Sequence, residues 1–137
     1  MPKILTLFLL LGLLLSSLIG CQKAGNITSV NLDSGSSVSY TQAEIEAAMN
    51  TVTDYFQQNF SGCTLTRLWY AENKVLAAEA EWASQYQAEQ AIVLLSDFTT
   101  DAQGGDGSLN PNQTYTNWQW ILVRNNGENW QLKDWGY

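Results

Sequence analysis

Trp118, Trp120, Arg124, Trp130 and Asp134 stand close together near the end of the 137-residue chain. Indole faces with a guanidinium and a carboxylate among them could line a pocket for an apolar ligand or a sugar, Arg124 and Asp134 fixing its polar groups. The same tryptophans could instead be core, each burying about 150–250 Å². An exposed Arg124–Asp134 pair across a hairpin would then contribute at most about 1 kcal/mol. The core reading is the favoured one. Asp97, Asp101 and Asp106, with GGDGS at 104–108, could offer oxygens to calcium. Their spacing departs from the D-x-D-x-D-G loop, so a solvated hairpin loop is expected and no metal. Glu79 and Glu81 beside Trp82 could do acid–base work. Residues two apart on a helix do not share a face, so both are expected as surface charge.

The chain has no histidine. That removes Ser-His-Asp and Cys-His arrangements and the usual zinc ligands. Cys63 has no imidazole to act as its base and reads as a small buried hydrophobe. A catalytic reading must rest on carboxylates, Tyr, Lys or Arg. No cofactor is expected.

These residues need a scaffold. Thr41-Gln42-Ala43-Glu44 has the form of a capping box. Apolar residues follow at Ile45, Ala48, Met49, Val52, Tyr55, Phe56 and Phe60, a spacing that predicts a helix over 42–60 ending at Ser61-Gly62. CTLTRLWY at 63–70 has strand composition. Asn73 is the expected cap of a second, Ala- and Glu-rich helix. AIVLLSDF at 91–98 is apolar on both parities, as in a strand covered on both faces. TYTNWQWILVR, NNGE and NWQLKDWGY read as strand, Asn-Gly-type turn and return strand. On that hairpin Trp118 and Trp120 share a parity with Leu122 and Arg124. Trp130, Leu132 and Asp134 share another, and Trp135 and Tyr137 point away from them.

The order is helix, strand, helix and three antiparallel strands. That is an α+β domain over 41–137, two helices on a curved antiparallel sheet of about four strands. Residues 22–40, rich in Ser, Gly and Asn, read as a flexible tether spanning about 24 Å, with a short strand inside ITSVNL as the alternative.

The N-terminus points to an address. One charge, Lys3, precedes an apolar run over 4–19, too short for the roughly 20 residues of a membrane-spanning helix. That is the pattern of a signal peptide over 1–20. Leu18-Ile19-Gly20-Cys21 resembles the lipobox of bacterial lipoproteins. The resemblance implies a diacylglyceryl thioether on Cys21 and cleavage before it; an ordinary signal peptide or an uncut anchor is the alternative. Two acyl chains hold a protein on a membrane where one holds it only reversibly. The expected location is the extracytoplasmic face of the cell membrane.

Without residues 1–20, five basic and thirteen acidic residues remain, a net charge of −8. Such a surface is repelled by anionic headgroups and phosphates, and no basic patch with interleaved aromatics exists. Membrane contact is therefore expected through lipid alone, and no nucleic acid is expected.

The amphipathic helix and the ending W-x-L-x-D-W-G-Y resemble small lipoprotein domains of the nuclear-transport-factor-2-like, cystatin-like type. The resemblance covers 41–137 and implies a cone-shaped fold. It does not imply an activity, because one fold hosts many functions. The expected function is a membrane-tethered, non-catalytic binding or assembly module, its partner a second copy, another envelope protein or a small ligand. The alternatives are a small hydrolase, isomerase or cyclase using Asp134 or Asp97 in a Trp-lined pocket, and an inhibitor or immunity lipoprotein whose acidic charge matches a basic target.

Overall fold

The computed structural model describes residues 24–137. In chain order the elements are β1 (Asn31–Asp33), α1 (Gln42–Asn59), β2 (Cys63–Trp69), α2 (Glu72–Gln85), β3 (Gln90–Thr100), β4 (Thr114–Arg124) and β5 (Gln131–Gly136). The strands form one open sheet in the order β1-β2-β3-β4-β5. β1 runs parallel to β2 and the other pairs are antiparallel. The fold is α+β as expected, but the sheet is mixed and has a fifth strand.

α1 forms for the reasons its sequence states. Thr41 is extended, its Oγ1 accepts the Glu44 N–H, and the Glu44 carboxylate accepts the Thr41 N–H. Two amides that a helix start leaves unsatisfied are thereby partnered. The face carrying Ile45, Ala48, Met49, Val52 and Phe56 is buried. Gly62, at φ +73°, then turns the chain into β2. α2 starts one residue before Asn73, behind Ala71 and without a side-chain cap. No described helix is long and apolar enough to cross a membrane.

The fifth strand comes from the segment read as a tether. Gly25 N–H donates to Gln57 O at 2.9 Å, Asn26 N–H to Cys63 O at 2.8 Å, and Leu65 N–H to Asn26 O at 2.9 Å. Gly25 is buried there because it has no side chain: a Cβ would lie 2.2 Å from the Phe56 carbonyl oxygen. Further on, the Glu72 carboxylate accepts the Val38 and Ser39 N–H groups and the Ser37 hydroxyl. Tyr40 packs edge-on to Trp130, ring centres 5.4 Å apart. The Ser, Gly and Asn of this stretch thus make local turns and caps. The alternative strand in ITSVNL is realised at its last two residues, as part of β1.

β3 is buried on both parities from Ala91 to Ser96. Its pairing with β2 ends at Trp69↔Leu95, which leaves the Ala91 and Val93 backbone groups beyond β2. Side chains take them over. The Tyr40 hydroxyl donates to Ala91 O at 2.6 Å, and the Glu79 carboxylate accepts the Val93 N–H at 3.1 Å. Glu79 is consequently 5 % exposed, not the surface charge expected, while Glu81 does lie outside. A buried backbone donor needs an acceptor, and α2 delivers one from its inner face.

Bulges shape the sheet. Asp97 sits where the register shifts against both β2 and β4. Its carboxylate accepts the Asn117 N–H at 3.0 Å, and its carbonyl accepts the Thr66 hydroxyl at 3.0 Å. Asn117 takes φ +55°. Bulges bend strands and increase twist. A further shift between Ile121 and Leu122 inserts Lys133 into β5. Side-chain alternation restarts there, so Trp135 pairs with Trp120 and Leu132 with Leu122. Trp135 therefore lies on the α1 side, its ring 4.8 Å from Tyr55, and does not point away as strict alternation predicts.

Candidate functional site

The end of α1, the bulged part of β4, β5 and the loop from 101 to 113 surround an open cleft of about 450 Å³. That lies within the range of small-molecule sites. Tyr55, Asn59 and Phe60 come from the last turn of α1 and its cap, Trp118 from β4 and Trp135 from β5. Ser61, Cys63, Gly105, Asp106, Ser108 and Leu109 complete the lining. Each aromatic is placed by a feature already described: the helical spacing, the bulge opposite Asp97, and the shift at Lys133.

The loop wall is fixed by its own hydrogen bonds. Asp101 Oδ1 accepts the Gln103 and Gly105 N–H groups, both at 3.0 Å, and Asp101 N–H donates to Gly62 O at 3.1 Å. The Thr100 hydroxyl donates to Asn110 O at 2.6 Å. Gly104 takes φ +69°, and a Cβ on it would lie 2.0 Å from Leu109 O. Asp106 Oδ1 accepts both the Ser108 N–H at 2.9 Å and its hydroxyl at 2.6 Å. Those bonds to the charged form hold the Asp106 carboxyl below the usual range. The Asp101 and Asp106 carboxylates each serve a neighbouring turn, and the Asp97 carboxylate serves the bulge in β4. Among the described residues no three His, Cys, Asp or Glu side chains meet as a metal cluster would require.

The electrostatics of the cleft are negative. Cys63, 2 % exposed, has its thiol pushed up to about 11, first by burial and then by the charges of Asp101 and Asp106. It stays protonated at neutral pH, and thiolate is the nucleophilic form. The Trp118 indole nitrogen is buried without a hydrogen-bond partner among the described residues.

Of the five hairpin residues singled out in the sequence only Trp118 lines the cleft, whereas Cys63 and Asp106, read as a buried hydrophobe and as part of a solvated loop, line it as well. Trp120 is fully buried and donates its indole N–H to Ser96 Oγ at 2.8 Å. Arg124 lies six residues along β4 from Trp118, about 20 Å away at strand rise. It does not meet Asp134. Its guanidinium pairs with Glu44, donates to Gln90 at 2.7 Å, and stacks 4.1 Å from the Trp130 ring. Trp130, 6 % exposed, donates to the Glu44 carbonyl at 3.0 Å. The Arg124 and Thr41 contacts lower the Glu44 carboxyl, the Thr41 N–H most. Asp134 is exposed, pairs with Ile121 in register, and accepts the Trp135 N–H at 2.8 Å. Cys21 lies outside the described residues.

Tyr55, Phe60 and Trp135 were missed as lining residues. The first two lay on the apolar stripe of α1 and read as core. Trp135 depended on a bulge that leaves no mark in the alternation of β5. No family model matches the chain, and comparisons with curated proteins and with solved structures find no match.

Proposed function

We propose that this chain is a lipid-anchored extracytoplasmic protein whose domain is a non-catalytic binding module, with the cleft beside α1 as its site. One observation carries the binding part. Aromatic side chains from a helix and two strands surround a concavity that holds an ionised carboxylate and a protonated thiol, and the chain has no histidine to activate that thiol. Asp134 and Asp97, the carboxylates an enzyme reading relies on, lie outside that lining.

The lipobox at 18–21 supports acylation of Cys21, with the membrane as the partner it reaches. Residues 22–24 separate Cys21 from Gly25, and a fully extended chain covers at most about 3.6 Å per residue. Four such steps reach about 14 Å. The acyl chains would therefore hold the domain against the headgroups, not 24 Å clear of them. Cys63, whose carbonyl receives the Asn26 N–H, also lines the cleft. The anchor and the site thus share one end of the domain. A helix lying on antiparallel strands that finish in a Trp-rich hairpin supports the nuclear-transport-factor-2-like reading of the fold. A second copy or an envelope protein remains the macromolecular partner of this proposal.

Intact mass of the native protein tests the anchor. The expected species starts at Cys21 and carries a diacylglyceryl adduct, and in Cys21→Ala both the adduct and the cleavage before residue 21 are lost. An unmodified N-terminus refutes it. Native mass spectrometry of the gently extracted protein tests the module: a retained small ligand, lost in Trp135→Ala, is expected. A bare protein in both cases counts against it.

A further inference from the structure

We infer that the cleft binds an organic ammonium group, quaternary ammonium above all, by seating it against the aromatic wall of Tyr55, Phe60 and Trp135 next to the Asp106 carboxylate. The inference rests on the reading of the cleft as a binding site and names its ligand class.

Three observations select a cation. The rings are set at angles: Tyr55 and Trp135 stand at 46° with centres 4.8 Å apart, and Phe60 and Trp135 at 69° and 6.5 Å. Rings splayed in this way form a concave wall, and aromatic faces carry negative partial charge that attracts an alkylated ammonium. The charged side chain in the lining is an anion. Ser108 occupies one oxygen of Asp106 and leaves the other open. Neither ion pair among the described residues, Arg67–Asp33 or Arg124–Glu44, involves Asp106. No Lys or Arg lines the cleft. Finally, the whole chain carries −7, and the Cys63 thiol registers the local field of Asp101 and Asp106. An anionic ligand could accept from the Trp118 indole N–H but would meet repulsion from Asp106 and from the net charge. A neutral polyol would gain nothing from that field, whereas an ammonium gains from the rings and the carboxylate together.

The shared chemistry has two sources, a free alkylammonium and the choline headgroup of a lipid. The chain without residues 1–20 and with Cys21→Ser, which removes both the apolar run and the acylation site, is titrated with choline chloride and read by indole fluorescence and by the indole N–H signals of Trp118 and Trp135. A parallel titration uses 3,3-dimethylbutan-1-ol, the same shape with carbon in place of nitrogen. A third arm adds phosphatidylcholine vesicles and a fourth glucose. Choline should bind at least about tenfold more tightly than the neutral alcohol, and more weakly as salt rises. Asp106→Asn, an exposed position that keeps the Ser108 contacts, should lose about tenfold, and Glu81→Gln, which removes an exposed carboxylate on α2 outside the lining, nothing. Binding to vesicles beyond that of choline assigns the lipid headgroup, and choline alone assigns the free cation. Equal binding of alcohol and choline, or binding of glucose only, overturns the ammonium assignment and leaves the cleft a binding site. Indole signals unmoved by all four probes overturn both.

Discussion

Glu79 should make this fold lose stability as pH rises through the mildly acidic range. Its carboxylate is buried where α2 meets β3, accepts the Val93 N–H and faces the Tyr70 hydroxyl at 3.3 Å. Burial dominates those two hydrogen bonds and pushes its pKa up from 4.5 to about 6. The half-buried Glu72 carboxylate adds a smaller push in the same direction. A carboxyl raised in the folded state holds its proton more tightly there than in the unfolded chain. Its stabilising contribution is therefore complete below pH 4.5 and is gone above pH 6. At 1.36 kcal/mol per pH unit the loss is about 2 kcal/mol, or roughly 8 °C in Tm for a domain of this size. Glu79→Gln has the shape of the protonated acid and keeps an oxygen for the Val93 N–H. Thermal unfolding of the two chains should coincide at pH 4. At pH 7.5 the Gln variant should melt about 8 °C higher. Other carboxylates titrate in both chains, so the difference isolates this group. Parallel pH profiles would refute the account, and so would a Gln variant less stable at pH 7.5.

Four further expectations concern other contacts. Gly25→Ala should free residues 24–40 from the sheet, because the added carbon meets the Phe56 carbonyl. Overpacking of this kind costs about 1–3 kcal/mol, and hydrogen exchange at Asn26 and Leu65 should quicken while the β3–β4 core stays protected. Ser96→Ala removes the acceptor of the buried Trp120 N–H and should cost about 1–3 kcal/mol in denaturant unfolding. Arg124→Lys should cost about 1–2 kcal/mol despite keeping the charge, since an ammonium cannot serve Glu44, Gln90 and the Trp130 face at once. Alkylation of Cys63, followed by peptide mass, should stay slow at pH 7.5 and accelerate only toward pH 11.

What the sequence makes legible here is whatever repeats locally. The capping box at Thr41, the apolar stripe of α1 and the three strands from Gln90 onward all announce themselves through spacing and composition. β1 does not, because its three residues are exposed and are held through backbone bonds that any composition could make. Glu79 looked like a surface residue because its partner is an amide on a strand fourteen residues later. Of the five hairpin residues singled out in the sequence Trp118 alone lines the cleft, and Cys63 and Asp106 line it from segments read for other reasons. Trp120 and Arg124 do stand on the expected strand and Trp130 lies one residue before β5, yet the fold directs them to the core or the far end. Trp135 reaches the cleft through one inserted residue, Lys133, which reverses every alternation after it.

The two margins of the sheet have a consequence for how copies of this chain meet. Among the described residues one margin is a three-residue strand and the other a six-residue strand broken by a bulge. Neither offers the long, regular ladder of free amides and carbonyls on which a neighbouring chain could template itself. Concentrated protein should thus resist fibril growth by strand addition, and any self-association must proceed through side chains.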